Sequence, residues 1–426
     1  MQARPFVLFC AGEDSGDVLG ETLVRPAVES GMNVLGVGGP RMQRAGLVPV
    51  GDYETLPVSG FGDVFPRVFR LKKIFSHLES LLREDSCVAL VCIDYPGFNM
   101  KLCRRALALK KPVLYVAPPQ VWAWKKHRAR RLRGAKLAVL FNFERRVYES
   151  LGLGAEILEH PFLRAISLDM LAVGARAISP NSQAISPKVR ETRPSLQAIS
   201  PKVRETRLNG TDARETRPNQ DVVVLPGSRE SQALRNLPFF MEVVSRVHAL
   251  HPERKFVLVA SRESLKTQFE CAAAKLSPAG SVPAWLRIDV APQEARERAT
   301  FYARHAVALC MPGSATLELA LSGVPLVVAD VLDPLTYFIG KHFVKTDYFA
   351  LPNVLLGRSA YPEFFFTRGA SRKKDSAERV AEALRKALEN SPRSTVADLV
   401  KTFAASTSAE SLMTEFLCEF VERDTH

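Results

Sequence analysis

The sequence predicts an α/β protein with two doubly wound, Rossmann-like domains, a cleft between them and helices at the C-terminus. Three observations support this fold class. Apolar runs of strand length alternate with helical patterns along both halves of the chain, and short Gly- or Pro-containing turns separate them. The 426 residues are 46% apolar, which is enough to bury two cores. A low-complexity segment lies between the two halves.

Residues 1–164 are predicted as the N-terminal domain, because strand and helix patterns alternate through them. The predicted strands are Phe6–Cys10, Asn33–Val37, Val88–Ile93, Val113–Val116 and Leu137–Phe141. The predicted helices are Val18–Ser30, Val68–Arg83 and Asn99–Leu109. The first apolar run is read as a buried strand and not as a signal peptide. No stretch approaches the roughly 18–20 apolar residues of a membrane-spanning helix.

Residues 165–220 are predicted as a low-complexity repeat insertion between the domains. The segment AISPKVRETR occurs at 184–193 and again at 198–207. The insertion is rich in Ser, Pro, Arg and Thr and contains no aromatic residue. Such a composition cannot build a packed core, so we expect the insertion to be disordered.

Residues 221–372 are predicted as the second domain. Its predicted strands are Val222–Leu225, Phe256–Ala260, Leu286–Val290, Val307–Met311 and Leu326–Ala329, and its helices are Leu237–Leu250, Leu265–Lys275 and Ala315–Leu321. Residues 373–426 are mostly helical, with two candidate helices near 376–389 and 408–422. Open parallel sheets bind ligands beyond the carboxyl ends of their strands, so we expect the site in the cleft.

The clearest single unit runs from Ala306 to Val331 and reads strand, Gly-Ser turn, helix, strand. The unpaired amides at the start of its helix form a ready anion site. Glu318 lies on the same helical face as Ser314, where its carboxylate can accept hydrogen bonds from ribose hydroxyls. The alternative is an ordinary βαβ crossover with a surface glutamate.

The formal net charge of +13 is unevenly distributed. Residues 125–136 contain seven Lys or Arg and no acid, directly after Trp122 and Trp124. Such a cluster suits an anionic membrane surface or a phosphorylated ligand, with nucleic acid or a solvated basic helix face as alternatives. No aromatic residue is interleaved within 125–136, which argues against single-strand binding. The seven cysteines lack CxxC spacing, as in a reduced, cytosolic protein.

Seven short motifs follow one another along the chain. They are AGEDSGD at 11–17, GVGGPRM at 36–42, IDYPGFN at 93–99, VWAW at 121–124, LPGSR at 225–229, GSATLE at 313–318, and VKTDY at 344–348 with LPN at 351–353. Together they resemble the lipid-A-disaccharide synthases, a family of GT-B glycosyltransferases. The resemblance implies a hexosyltransferase that joins UDP-2,3-diacylglucosamine to 2,3-diacylglucosamine 1-phosphate (lipid X) with inversion, releases UDP, and uses no metal and no cofactor.

The resemblance also implies roles for individual residues. Asp94 would be the base that takes the proton of the acceptor hydroxyl; an Asx turn is the structural alternative. Arg229 would fork onto the phosphates of the departing UDP, and an exposed turn arginine is its alternative. The other predicted donor-side contacts are Gly227, Ser228, Gly313, Ser314, Ala315, Glu318 and Asn353, of which Asn353 is otherwise a turn residue. The predicted acceptor-side contacts are Glu13, Ser15 and Asp17, and a structural cap is the alternative for the last two.

Acyl chains of both substrates lie in the bilayer, so the resemblance implies a cytoplasmic enzyme peripheral on the anionic inner-membrane surface. The predicted membrane contacts are Trp122, Trp124, Lys125, Lys126 and Arg128, with core packing as the alternative for the tryptophans. No nucleic-acid partner is expected. The C-terminal helices are predicted to pack back on the N-terminal domain or against a partner protomer of a homodimer.

Departures from the family pattern concern substrate detail. Ser59 and Asp63 stand where the family tends to show Met and Glu, and Phe366 stands where it usually shows Gln. Gly97 replaces a second Asp of some members, so a mechanism with two carboxylates is not available at this loop. The rival functions are another UDP-sugar GT-B enzyme, either a lipid-carrier glycosyltransferase or a UDP-GlcNAc epimerase, and a non-catalytic nucleotide-sugar binder.

Overall fold

A computed structural model describes residues 4–53, 64–121, 126–166, 221–334, 337, 347–371, 374–389, 394–403 and 406–421. Ser59, Asp63, Trp122, Trp124, Lys125 and residues 167–220 of the predicted insertion lie outside these residues. Ala165 and Ile166, predicted as the start of the insertion, belong to the end of an ordered helix and to a buried cluster. The described chain contains two parallel sheets with helices on both faces, which confirms the predicted α/β class.

The first sheet has seven strands, which run parallel to one another: β1 Phe6–Ala11, β2 Asn33–Val37, β3 Val48–Pro49, β4 Cys87–Ile93, β5 Val113–Val116, β6 Lys136–Val139 and β7 Glu156–Ile157. Their order is β3-β2-β1-β4-β5-β6-β7. The helices between them are α1 Asp14–Glu29, α2 Pro40–Arg44, α3 Val64–Leu82, α4 Pro96–Ala108, a 3-10 helix at Lys126–Leu132, α5 Asn142–Ser150 and α6 Pro161–Ala165.

The second sheet has six parallel strands: β8 Val222–Leu225, β9 Phe256–Ala260, β10 Leu286–Val290, β11 Val307–Cys310, β12 Leu326–Leu332 and β13 Glu363–Thr367. Their order is β10-β9-β8-β11-β12-β13. In each sheet the order of the strands therefore reverses beside the first strand, between β1 and β4 and between β8 and β11. The helices are α7 Glu230–Leu250, α8 Glu263–Leu276, α9 Ala295–Ala303, α10 Ser314–Leu321, α11 Leu351–Leu356 and α12 Arg368–Ser371.

Both faces of each sheet are covered, and this explains why the strand residues are apolar without alternation. Along β1 the side chains of Leu8 and Cys10 enter one buried cluster, and those of Val7 and Phe9 enter the other. The second sheet is covered in the same way by two further clusters. A run of apolar residues was therefore the correct signal for these strands.

Three C-terminal helices follow: α13 Lys374–Glu389, α14 Ser394–Thr402 and α15 Ala409–Val421. The first two pack on the second domain, where Val380 and Leu399 join its cores. The third crosses to the first domain and buries Met413 and Phe416 against the cluster of β1. The segment before α15 is bonded to the first sheet, since the N–H of Thr407 donates to the carbonyl of Ile157 in β7 at 2.7 Å. The chain end thus ties the two domains together.

Several element boundaries differ from the sequence-based ones. Helix α1 begins at Asp14 and not at Val18, so Ser15 and Asp17 lie inside a helix. Helix α7 begins at Glu230 and not at Leu237, and it contains Pro238. Strand β13 was not predicted, and it places Phe366 in the core, with its ring centroid 5.2 Å from that of Phe239. No helix among the described residues is long and apolar enough to cross a membrane.

Candidate active site

Predicted site residues from both domains follow the strands at which each sheet reverses its strand order. In the first domain, β1 leads to Glu13 and β4 leads to Asp94. In the second domain, β8 leads to the turn carrying Arg229, and β11 leads to the start of α10. Adjacent parallel strands with connections to opposite faces leave a crevice at their carboxyl ends, where ligands of open sheets bind. The topology therefore gathers loops that are far apart in sequence.

Asp94 leaves β4 in an unusual backbone conformation. Both Asp94 and the following Tyr95 have φ of 48°, in the left-handed region. Such residues cost about 1–3 kcal/mol each and persist where their surroundings hold them. The N–H of Asp94 donates to the carbonyl of Val116 at 2.9 Å. The hydroxyl of Ser15 lies 3.5 Å from the carboxylate Oδ2 of Asp94, which is at the outer limit of a hydrogen bond.

The electrostatics of Asp94 suit a proton acceptor. Burial of the carboxyl is the main cause that raises its pKa to about 6, and the negative charge of Glu13 raises it further. Hydrogen bonds to the backbone of Tyr95 and to Ser15, together with the charge of Arg229, act in the opposite direction. A carboxylate with this pKa is a stronger base than an ordinary aspartate and is still ionised at neutral pH.

Two arginines connect the domains, and one of them, Arg229, lies near Asp94. The guanidinium of Arg229, from the second domain, forms an ion pair with the carboxylate of Glu13 in the first. From the first domain, Arg41 donates to the carbonyl of Gln293 and lies 3.8 Å from Glu294. Glu13 and Arg229 are therefore brought together as predicted site residues. Arg41 belongs to the motif GVGGPRM at 36–42 but was not among the predicted site residues.

The second domain offers backbone amides at the start of two helices. Gly227 has φ of +135°, and a Cβ there would come within 2.8 Å of the sulfur of Met311, so this turn favours glycine. Ser228 and Arg229 follow it and are exposed, and Arg229 is the N-cap of α7. At the second start, Gly313 caps α10 and is exposed together with Ser314. Unpaired amides at such helix starts favour anions.

Glu318 does not stand free at the site. Its carboxylate accepts two hydrogen bonds from Arg298, at 2.6 Å and 3.0 Å, and both side chains are only 14% exposed. Arg298 also donates to the carbonyls of Pro292 and Gln293, at 3.0 Å and 2.9 Å. The arginine fixes the carboxylate and leaves two of its lone pairs for another donor. Arg298 lies twenty positions before Glu318, and nothing in the sequence indicated this pairing.

Two predicted contacts have internal partners that favour their structural alternatives. The carboxylate of Asp17 accepts from the N–H groups of Arg41 and Met42, at 3.1 Å and 3.0 Å, and so caps α2. Asn353 is fully buried, and its amide makes four hydrogen bonds within the protein. All the donor and acceptor capacity of that amide is thereby used. Asn353 is thus not available to a ligand, and Asp17 is buried with both of its carboxylate oxygens already bonded to α2.

The remaining predicted residues divide by location. Ala315 follows Ser314 in the first turn of α10, next to the exposed helix start. Lys126 and Arg128 belong to the 3-10 helix at 126–132, and Arg128 is half-buried. The tryptophans predicted beside them, together with Lys125, lie outside the described residues, so the membrane surface stays a prediction.

Fold and site together define the class of protein. Two parallel-sheet domains facing each other across a crevice, with a carboxylate on one side and helix starts on the other, form the GT-B architecture of nucleotide-sugar glycosyltransferases. The chain belongs to the lipid-A-disaccharide synthetase family, whose model matches residues 7–186 and 197–416. The predicted resemblance and the prediction of an enzyme of this family are confirmed.

Curated relatives agree with the family model over most of the chain. A lipid-A-disaccharide synthase of Azotobacter vinelandii is 32% identical over 389 residues, which are 90% of this chain and 89% of that protein. Those of Trichlorobacter lovleyi and Geobacter metallireducens are 30% and 28% identical, and each match covers 84% of this chain and 82% of the relative.

Solved structures with the same fold are distant in sequence. S. aureus MnaA with UDP has a TM-score of 0.58 and 8% identity, covering 100% of this chain and 98% of that one. UDP-GlcNAc 2-epimerase from Neisseria meningitidis, bound to UDP-GlcNAc, has a TM-score of 0.56 and 10% identity, covering 98% of this chain and 100% of that one. These similarities support the fold class alone.

Proposed function

We propose that the protein transfers 2,3-diacylglucosamine from its UDP derivative to 2,3-diacylglucosamine 1-phosphate, with inversion at the anomeric carbon. The product is the β-1,6-linked lipid A disaccharide 1-phosphate, and UDP leaves. Family membership supports the class of reaction, and the names of the relatives support the lipid A product. The observation that carries the mechanism is Asp94 at the cleft, with a pKa raised to about 6, next to an arginine of the other domain.

In the proposed reaction, the carboxylate of Asp94 accepts the proton of the acceptor hydroxyl. The hydroxyl oxygen forms a bond to the anomeric carbon while the bond from that carbon to the phosphate oxygen breaks. The electron pair of the broken bond stays on UDP. One displacement of this kind inverts the anomeric centre, and protonated Asp94 then returns its proton to water. Ser15 and Glu13, next to Asp94, are the proposed acceptor-side contacts.

UDP requires stabilisation of the charge that it gains. Arg229 can exchange its partner Glu13 for phosphate oxygens, which bind a guanidinium through two parallel hydrogen bonds. The exposed amides at Gly313 and Ser314 are the second proposed source of donors. Glu318, held by Arg298, is the proposed partner of the ribose hydroxyls. Neighbouring structures with UDP or UDP-GlcNAc bound support a UDP-sugar site on this fold.

Membrane contact belongs to the same proposal, because both substrates carry acyl chains. The basic residues between 125 and 133 and the preceding tryptophans are the proposed contact with anionic lipid on the cytoplasmic face. Lys136 is excluded, because it is largely buried and pairs with Glu156, Glu415 and Glu419. We expect sedimentation with anionic vesicles that weakens as salt increases, since surface charge is screened. If the protein binds neutral vesicles as strongly as anionic ones, electrostatic attraction does not drive the membrane contact.

The test of function is UDP release by the purified protein with both acylated substrates in detergent micelles. Acceptor-dependent release that falls about 10²–10⁴-fold in Asp94→Asn supports the proposed base, since general base catalysis contributes about that factor. Asp85→Asn, the same change at an exposed aspartate, is the matched control and should retain full activity. Undiminished release in Asp94→Asn would contradict the assignment.

A UDP-GlcNAc epimerase is the second candidate, because an epimerase is among the structures with the same fold. Such an enzyme would turn over unacylated UDP-GlcNAc without an acceptor. Turnover of that compound, together with no UDP release from the acylated donor, would replace the lipid A proposal by the epimerase one.

A further inference from the structure

A buried side-chain amide contacts the backbone of the proposed base, Asp94. Asn99, in the first turns of α4, has no exposed surface. Its Nδ2 lies within hydrogen-bond distance of three backbone carbonyls: those of Cys10 at 3.0 Å, Ile93 at 3.1 Å and Asp94 at 3.0 Å. The Oδ1 of Asn99 has no hydrogen-bond partner within the described ranges. The protein therefore uses this side chain as a donor.

These three carbonyls lie at the carboxyl ends of two neighbouring strands. Cys10 is near the end of β1, which pairs in parallel with β4, and Ile93 is the last residue of β4. The chain beyond β1 reaches Glu13 and Ser15 within five residues of Cys10. One amide thus joins the strand end that precedes the proposed acceptor contacts to the strand end that carries Asp94.

The peptide groups on both sides of Asp94 are held. Its N–H donates to Val116, and its carbonyl accepts from Asn99 and, at 3.1 Å, from the hydroxyl of Tyr115. Two fixed peptide planes determine the direction of the Cα–Cβ bond between them. The left-handed conformation of Asp94 would otherwise relax, because it is unfavourable for a residue with a Cβ.

We propose that Asn99 is a positioning residue for the transfer reaction, whose amide holds the Asp94 carboxylate at the distance and angle at which it meets the acceptor hydroxyl. This inference rests on the proposed role of Asp94 as the base. Asn99 does not touch the substrate. It acts through the backbone of Asp94, and Tyr115 supports the same carbonyl from a second side.

The sharpest variant is Asn99→Asp, which keeps the shape of the side chain but replaces the donor amide by an acceptor carboxyl facing three carbonyls. We expect a loss in kcat of about 100-fold, as for a catalytic group displaced by about 1 Å. Asn33→Asp is the matched control, because Asn33 is exposed and its amide donates to the carbonyl of Pro5, away from Asp94. Its kcat should equal that of the unchanged protein.

If Asn99→Asp does not fold, the variants Asn99→Ser and Tyr115→Phe test the positioning role in its place. Asn99→Ser keeps a short donor and Tyr115→Phe removes only a hydroxyl, so both should fold. Because both residues hold the carbonyl of Asp94, we expect their effects on kcat to be non-additive in the double variant. We also expect the acid limb of the kcat profile to shift in each, since the carboxylate changes its surroundings; a purely structural role would leave that limb in place.

Crystal structures of Asn99→Ser and the unchanged protein give a readout that does not depend on activity. We expect Asp94 to leave the left-handed region, or its carboxylate to move, in the variant. An unchanged Asp94 with unchanged kcat would overturn the role of Asn99 alone. A displaced Asp94 with unchanged kcat, together with an active Asp94→Asn, would instead overturn Asp94 as the base, and the positioning proposal with it.

Discussion

The guanidinium of Arg229 pairs with the carboxylate of Glu13 across the cleft between the two domains. Each partner lies just beyond the end of a strand in its own sheet, and more than two hundred residues separate them in sequence. In the proposed reaction, Arg229 exchanges Glu13 for a nucleotide phosphate. The effect of the pair on the neighbouring Asp94 is measurable through pH, binding and stability.

The pH profile should reveal the raised pKa of Asp94. The base must be ionised, so we expect kcat/KM to fall as pH decreases through about 6. Removing the negative charge of Glu13 in Glu13→Gln should move this acid limb to lower pH, because that charge raises the pKa of Asp94. Initial rates from pH 5 to 8 provide the measurement. A limb that stays in place in Glu13→Gln would contradict the coupling between the two carboxyls.

The same pKa predicts how stability depends on pH. The pKa of this carboxyl is about 6 in the folded state, against 3.8 for an ordinary aspartate, so the group binds more protons when folded. Its contribution therefore makes the free energy of unfolding decrease as pH rises from about 4 to 6. The difference in that slope between the unchanged protein and Asp94→Asn, measured by urea unfolding at several pH values, isolates this group. Identical slopes would mean that Asp94 titrates as an ordinary aspartate.

Arg229→Lys should weaken binding of UDP more than it affects folding. Lysine keeps the charge but loses the two parallel hydrogen bonds that a guanidinium forms with phosphate. A charged hydrogen bond contributes about 1.5–3 kcal/mol, so we expect about a 10- to 100-fold increase in the Kd for UDP. Calorimetric titration measures it, and Arg304→Lys at an exposed position of the same domain is the control. Equal Kd values in both variants would exclude Arg229 from phosphate binding.

Double-variant measurements can separate what Glu318 and Arg298 contribute to stability from what Glu318 contributes to UDP binding. Each single change, Glu318→Leu or Arg298→Met, leaves a largely buried charge without its partner and should cost about 3 kcal/mol of unfolding free energy. The double variant should recover part of that loss, because no unpaired charge remains. If Glu318 also binds ribose, the double variant will be stable and yet bind UDP weakly. Strong binding by the double variant would refute the ribose contact.

Asn353 should matter for stability and little for binding. Its four internal hydrogen bonds connect α11 to Ala360 and Tyr361 and to Glu363 at the start of β13. Asn353→Ala leaves buried polar groups without partners, and we expect a loss of about 2 kcal/mol or more. A lower Tm with an unchanged Kd for UDP would agree with this structural role. A large rise in the Kd for UDP without a change in Tm would show instead that Asn353 takes part in donor binding.

Much of the fold was predictable from local sequence. Strands such as β1 and β4 are apolar runs, because both faces of a parallel sheet are buried, and their ends were predicted within a residue or two. The start of α1 was missed because Ser, Gly and Asp usually indicate a turn. Gly16 nevertheless lies inside this helix and is buried.

For the site, the sequence by itself determined which residues follow strand ends: Asp94, Arg229 and the glycines at 227 and 313. It could do so because turn chemistry and the strand pattern are local. Only the tertiary structure decided their partners. The pairing of Glu13 with Arg229, of Glu318 with Arg298, and of Asn99 with three carbonyls depends on sheet order and on the meeting of the domains. Those contacts join residues distant in sequence, so no local pattern encodes them, and they set the charge and direction of each functional group.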